Sequence, residues 1–428
     1  MVKKIFLLFL LFVIIYKPEF VFIPHSVNMF FGIVGLLLYA YKKDDCFNLL
    51  NGCETYIKKI ITYVCPFVIV SFFSIVLNGS YDLYYPRYAV SIILYFFCAY
   101  LFAFCFYKVY GRMDVEKVID YFILAECIFL LIGLMSFFTP GLYGALTSLQ
   151  KYNEIALNAM DRTEGGRLIS IGAQFFSAAV INGFVLILIG LSFYCFQMSV
   201  SKKVFYFIAF AYIFVFGMMM GRTTIIGGAI GFLLIILSFT QKIGNSTKTF
   251  FATMIAILVA YLAFSVFIFT VNWNFDVLSD FGFEMLDNYK SGKGMSVHSN
   301  ERMFDMYKTV PQDLETWLIG DAKWDEGNHY YKRVDPGYLR GVWYFGIFGL
   351  IALFWYYFKI IQCIVIDRLS FNKKKVIPFI ALSLYVLILN SKGPVDLYFY
   401  LIPFVFCNKY YVYKCQIPLP NTSSIRKV

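Results

Sequence analysis

The sequence predicts an all-α, polytopic membrane protein, a single bundle of about 12 transmembrane helices over residues 1–428. Composition is the first reason. Hydrophobic residues make up 60% of the chain and charged residues only 15%, with mean hydropathy +0.71, whereas soluble domains carry ~25% charged residues. The second reason is length. Apolar runs recur at roughly the ~20 residues that a ~30 Å hydrocarbon core requires. The third is the distribution of the net charge of +11. Lys and Arg gather in alternate connections, which places those connections in the cytoplasm by the positive-inside rule. The basic excess is therefore topological and implies no nucleic-acid partner.

The expected spans follow in order. Met1-Val-Lys-Lys and the apolar run to Tyr16 lack a small-residue cleavage site, so they read as a retained first span. Span two covers 27–41, and the lysine-rich stretch after it faces inward. Spans follow at 60–77, 89–107 and 118–138. Residues 139–170 then form a second sizeable outward loop. Further spans cover 171–196, 204–220 and 223–239, the last two separated only by Gly221-Arg222, and 249–270 follows. Residues 271–337 form a large outward loop carrying Trp273, Trp317 and Trp324. Loops beyond ~12–15 residues are usually functional or disordered, and disordered segments are poor in aromatics, so this one reads as a folded cap. A span at 338–360 and two more flanking Ser391-Lys-Gly-Pro-Val-Asp396 complete the bundle, with both termini cytoplasmic.

All 10 Cys fall in spans or inward segments, so no exported disulfide framework is encoded. His25, His298 and His329 lack metal-ligand spacing. No P-loop, GxGxxG, HExxH, GxSxG or CxxC occurs. The expectation is chemistry without ATP, metal or cofactor.

The charged residues at the outward ends carry what chemistry there is. Arg222 sits between two apolar runs. An ionisable group there is a functional hypothesis by default, against a snorkelling role at a tight turn. Its guanidinium suits bidentate phosphate binding. Arg162 and Arg167 bracket Glu164-Gly165-Gly166, where glycines let backbone amides and guanidiniums approach an anion; the competing reading is an interfacial turn. Arg302 lies on an expected amphipathic helix in His298-Ser-Asn-Glu-Arg-Met-Phe-Asp-Met-Tyr. Met303, Phe304, Met306 and Tyr307 form its membrane-facing side. Asp335 precedes Pro-Gly and is either a general base or a turn-former. His329 and Glu164 are the reserve bases.

Three features in this order resemble the bacterial O-antigen polymerase (Wzy-type) family and its O-antigen ligase relatives. They are Gly221-Arg-Thr-Thr at an outward hairpin, an arginine-bearing large loop, and a closing Asp335-x-Gly-Tyr-Leu with Tyr344-x-Gly-Ile-x-Gly. The resemblance covers about 162–349 and the overall span count. It implies a GT-C-like membrane glycosyltransferase, metal-independent, in the bacterial cytoplasmic membrane. Such an enzyme transfers a growing O-antigen or capsular glycan from polyprenyl diphosphate onto a lipid-linked repeat unit. The implied partners are that lipid-linked oligosaccharide, membrane lipids and a chain-length regulator. It implies roles for Arg222 and Arg302 on the diphosphate and leaves the base open, with Asp335 the first candidate; Arg162, Arg167, Glu164, His329 and Tyr338 are the further expected substrate-binding residues. Asp335 stands where ligases, and some polymerases, have His followed by Asn. A ligase and a flippase or other transporter remain the rival readings. A transporter should line a path with mid-span charges, and Glu126 is the one clear mid-span charge.

Overall fold

The computed structural model describes residues 1–23, 26–41, 53–152, 167–240, 288, 298–327, 329–368 and 376–407. The expected span at 249–270 and the candidates Arg162 and Glu164 lie outside these. Among the described residues, six helices are long and apolar enough to cross a membrane, and the protein is a multi-pass membrane helix bundle. Three shorter apolar helices accompany them.

Helices α1 (Val2–Tyr16) and α2 (Val27–Tyr41) open the chain. Next come α3 (Cys53–Leu77), α4 (Tyr84–Tyr110) and α5 (Val115–Phe138). Each starts a few residues before its apolar run, because polar first turns remain helical; Asp114 caps α5 by accepting from the Glu116 amide. Helix α6 (Pro140–Leu149) lies within the expected second loop. Then follow α7 (Phe175–Cys195), α8 (Val200–Met220) and α9 (Thr224–Thr240).

The centre of the bundle is α7, buried around its whole circumference from Ala178 to Tyr194, as an apolar helix without a polar face must be. It packs on α9 through glycines. A Cβ at Gly227 would collide with Gly183, and one at Gly190 with Gly231. Small residues let helix backbones approach closely where packing rather than water drives association. On the outside, Phe72, Phe73, Val76, Phe205, Ile208, Ile351 and Ile380 are exposed, as side chains in contact with lipid would be.

The described part of the large loop is folded. It contains α10 (His298–Met306), α11 (Leu314–Ile319), and a hairpin of β1 (Asp325–Glu326) with β2 (His329–Tyr330). The 78–83 turn between α3 and α4 holds this segment. Asn78 donates to Gly320 O at 2.9 Å, Ser80 to Ala322 O at 2.6 Å, and the Trp324 amide to Asp82 at 2.6 Å. Helix α12 (Gly337–Gln362) follows, broken at Phe345-Gly346, where Gly346 adopts φ 66°. The break presses Gly346 against Leu318 of α11. The Gly-Ile-x-Gly element of the sequence is thus a kink that docks the loop. Helix α13 (Val376–Asn390), α14 (Tyr398–Leu401) and a 3-10 turn over Ile402–Phe406 complete the described chain.

Gly346→Ala should cost about 2–5 kcal/mol, the sum of left-handed backbone strain and overpacking. Gly79 has a comparable φ of 57° but open space around it, so Gly79→Ala should cost only the strain, about 1–2 kcal/mol. Thermal unfolding of the two purified variants in one detergent tests this order.

Candidate functional site

The loop at 391–396, between α13 and α14, is where the site assembles. Asn390 closes it. Its amide donates to Val386 O at 2.9 Å and Val395 O at 3.0 Å, and its Oδ1 accepts from the Val395 amide at 3.2 Å. The loop then meets several distant parts of the chain. A Cβ at Gly393 would lie 2.6 Å from the Phe176 ring, and one at Gly337 2.9 Å from Pro394 Cα. The Tyr307 hydroxyl, just past α10, donates to Ser391 O at 2.7 Å.

Three cations gather on one side of this loop. Arg222 is half-buried in the turn between α8 and α9. That turn sits tightly on the start of α7, since a Cβ at Gly221 would lie 2.8 Å from Ala179 Cβ and 2.9 Å from Phe175 O. The Arg167 guanidinium lies 5.3 Å from the Phe175 ring centroid. Lys392 completes the group. Burial pushes its ammonium down to about 8, and the charges of Arg222 and Arg167 push in the same direction. Burial, then the charge of Arg222, holds Arg167 down at about 10. Cations that act on one another are stabilised by an opposite charge placed among them.

On another side of the loop stands Asp335, half-buried, with its amide 3.4 Å from Met306 Sδ. Burial raises its carboxyl above the usual range, while Arg302 and Arg340 pull it back. Arg302 is exposed on α10, so the structure brings Arg302 and Asp335 into electrostatic contact. Of the side of α10 expected to face the membrane, Met306 and Tyr307 instead pack against Tyr331, Val334, Leu339 and Trp343 of the protein itself, while Phe304 is exposed.

A third side opens on a cavity of about 160 Å³, lined by Lys17, Tyr84, Trp324, Asp396, Tyr400 and further rings. Trp324 is fixed in a stack of planar groups. Tyr84 lies parallel to it at 3.7 Å, and the Arg340 guanidinium is held 3.5 Å from Trp324 and 3.6 Å from Tyr330. Arg340 also donates to Trp324 O at 3.2 Å and sits 3.6 Å from Asp325.

Of the residues named from sequence, Arg167, Arg222, Arg302 and Asp335 therefore surround one loop. His329 is exposed on β2. Tyr338 is committed to packing, stacked on Phe354 at 5.1 Å with its hydroxyl on Leu387 O. Glu126 is wholly buried and accepts from Tyr16 at 2.8 Å, which places it in the packed bundle. Lys392, Arg340, Lys17 and Asp396 are additions from the structure. The cluster Ser391-Lys-Gly-Pro-Val-Asp reads in sequence as a mere connection, and only its charges at a span end hinted otherwise.

No family model matches the chain, and no curated protein or solved structure matches it.

The cation cluster has a measurable signature. Lys392 titrates near 8 in the folded protein against 10.5 ordinarily, so between these values the unfolded chain binds more protons. Stability from this group rises with pH across that window. Lys392→Met should lose that rise and, at pH 7, melt about 2–4 °C higher than wild type, as relief of ~1 kcal/mol of repulsion would give. Inorganic pyrophosphate should raise the melting temperature of wild type more than that of the variant. Melting curves at pH 7 and 9.5, with and without pyrophosphate, check both.

Proposed function

We propose that the protein is a membrane glycosyltransferase of the polymerase type, acting on polyprenyl-diphosphate-linked oligosaccharide at the outer face of the bacterial cytoplasmic membrane. The observation that carries this reading is the convergence of Arg167, Arg222 and Lys392 on a loop that also borders an aromatic cavity and Asp335. A lipid diphosphate presents anionic oxygens at a membrane surface with sugars beyond it. A cation cluster beside a ring-lined cavity matches both halves of such a molecule.

In this reading the two arginines and Lys392 hold the diphosphate. Asp335 takes the proton from a hydroxyl of the incoming lipid-linked repeat unit. That oxygen bonds to the anomeric carbon of the growing glycan as the carbon–oxygen bond to the diphosphate breaks. The electron pair leaves with the phosphate, where the cations stabilise the growing charge. Burial makes Asp335 a stronger base than an exposed carboxylate, while Arg302 and Arg340 act in the opposite direction. Attack opposite the leaving group inverts the anomeric centre. No step in this scheme calls for a metal or cofactor. A chain-length regulator fits as a partner, and both termini lie in the cytoplasm.

Three results are expected. A cysteine placed at Glu315, in a background lacking native cysteines, should react with an impermeant maleimide in intact cells; labelling only after lysis would reverse the orientation. Arg222→Lys keeps charge but loses the guanidinium fork, so it should be severely impaired in polymer formation, and Arg222→Ala should abolish it at matched protein abundance. Asp335→Asn keeps turn geometry but cannot accept a proton, so polymerisation should fall by ~10²–10⁴-fold. Normal chain length in Asp335→Asn would reduce this residue to a turn-former.

A further inference from the structure

The cavity beside the loop is lined in part by polar side chains that form no hydrogen bond with a described residue. The Lys17 ammonium follows α1 and lies 3.6 Å from the Phe399 ring centroid and 4.9 Å from that of Tyr95. Its contacts are with rings; among the described residues no acceptor takes a hydrogen bond from it. Tyr84, Tyr85, Tyr357 and Tyr400 also line the cavity, and none of their hydroxyls makes a hydrogen bond to another described residue. Buried polar groups are normally satisfied, so a cavity with this lining is shaped for a ligand rich in hydroxyls.

Asp396 fixes the polarity of that ligand. Its Oδ2 accepts from the Tyr88 hydroxyl at 2.5 Å and the Tyr356 hydroxyl at 2.9 Å, and its Oδ1 accepts from the Tyr398 amide at 2.7 Å. A carboxylate has about four acceptor positions, so one remains for a donor in the cavity. The Lys17 charge and the Asp396 charge act on each other. Glu19 acts on Lys17 as well, after Asp396, so the surroundings of the ammonium hold no excess of positive charge, and an anionic ligand at Lys17 would face carboxylates. A sugar hydroxyl accepts from an ammonium and donates to a carboxylate at once, which neither a carboxylate nor an ammonium ligand can do. The rings supply apolar surface for the carbon–hydrogen faces of a sugar, and a cavity of about 150 Å³ holds a six-membered ring.

We propose that this cavity is the subsite for one uncharged pyranose ring of the glycan, with Lys17 donating to its hydroxyls and Asp396 accepting from them. This rests on the glycosyltransferase reading and names the sugar class at its site. The test measures sugar binding directly, with no diphosphate and no turnover, so its failure is separate from failure of the polymerase reading. The full-length protein in nanodiscs would be titrated with the neutral probes methyl glucopyranoside and methyl galactopyranoside, and with the anionic methyl glucuronoside, followed by saturation-transfer NMR. At least one neutral probe should bind, more tightly than the glucuronoside. Lys17→Met should weaken it about tenfold or more, the loss of a charged hydrogen bond. Ser177→Leu, at the exposed cavity rim, should block it without touching the Lys17–Asp396 pair, and serves if Lys17→Met does not fold. Binding of no neutral probe, tighter binding of the glucuronoside, or affinity unchanged in the folded variants would overturn the proposal.

Discussion

The arrangement at the loop end of the bundle depends on one buried side chain, Asn390. Its amide donors and its carbonyl oxygen bond to Val386 and Val395, so the 391–396 loop is closed by its own polar groups. That leaves Gly393 and Pro394 free to be approached closely by Phe176 and Gly337. Each approach brings one more element to the loop. Through the first come the start of α7 and the Arg222 turn that rests on it; through the second comes Asp335. A buried amide must find partners for nearly all its hydrogen-bonding capacity, and here that requirement sets the shape of the connection on which the candidate site is built.

A second constraint acts from the large loop. The stack of Tyr84, Trp324, Arg340 and Tyr330 joins α4, the loop and α12 by planar contacts at 3.5–3.7 Å. Arginine suits this position because its guanidinium is flat and stacks on rings while its N–H groups stay free for backbone and carboxylate acceptors. The stack explains how the segment before α12 becomes part of the rigid body. It also makes Trp324 a wall of the sugar-sized cavity rather than an exposed aromatic, and it sets Arg340 near Asp335, whose charge it helps to maintain.

Much of the helical layout was legible in the sequence because apolar runs end where charges begin. Span two coincides with Val27–Tyr41, and the hairpin break at Gly221-Arg222 falls between α8 and α9. The helix bearing Arg302 also stands where its amphipathic pattern put it. Helix starts ran earlier than hydropathy implied, since Tyr84 to Tyr88 and Val115 to Lys117 are helical although interrupted by polar residues. The site was only partly legible. Arg222 and Asp335 are conspicuous because each interrupts an apolar context. Lys17 and Asp396 were not, because their relation exists only once α1 lies beside the final loop, a contact between residues nearly the whole chain apart. Arg340 was overlooked within Tyr-Leu-Arg-Gly-Val-Trp because a cation at a span end has an ordinary explanation in snorkelling.

The energetic asymmetry of the site gives the last step. Burial and then neighbouring positive charge work against the charged forms of Lys392 and Arg167. The Lys17–Asp396 pair and the Asp335 pair with Arg302 and Arg340 do the reverse, each setting a carboxylate against cations. One loop therefore borders the group of Arg167, Arg222 and Lys392 on one side and carboxylates facing cations on two others. A substrate with an anionic diphosphate at one end and neutral sugar at the other has the same polarity. Natural sequences depart from the most stable arrangement at places that serve function. In the polymerase reading proposed above, the cluster at Arg167, Arg222 and Lys392 is such a departure, and the diphosphate is the anion it serves.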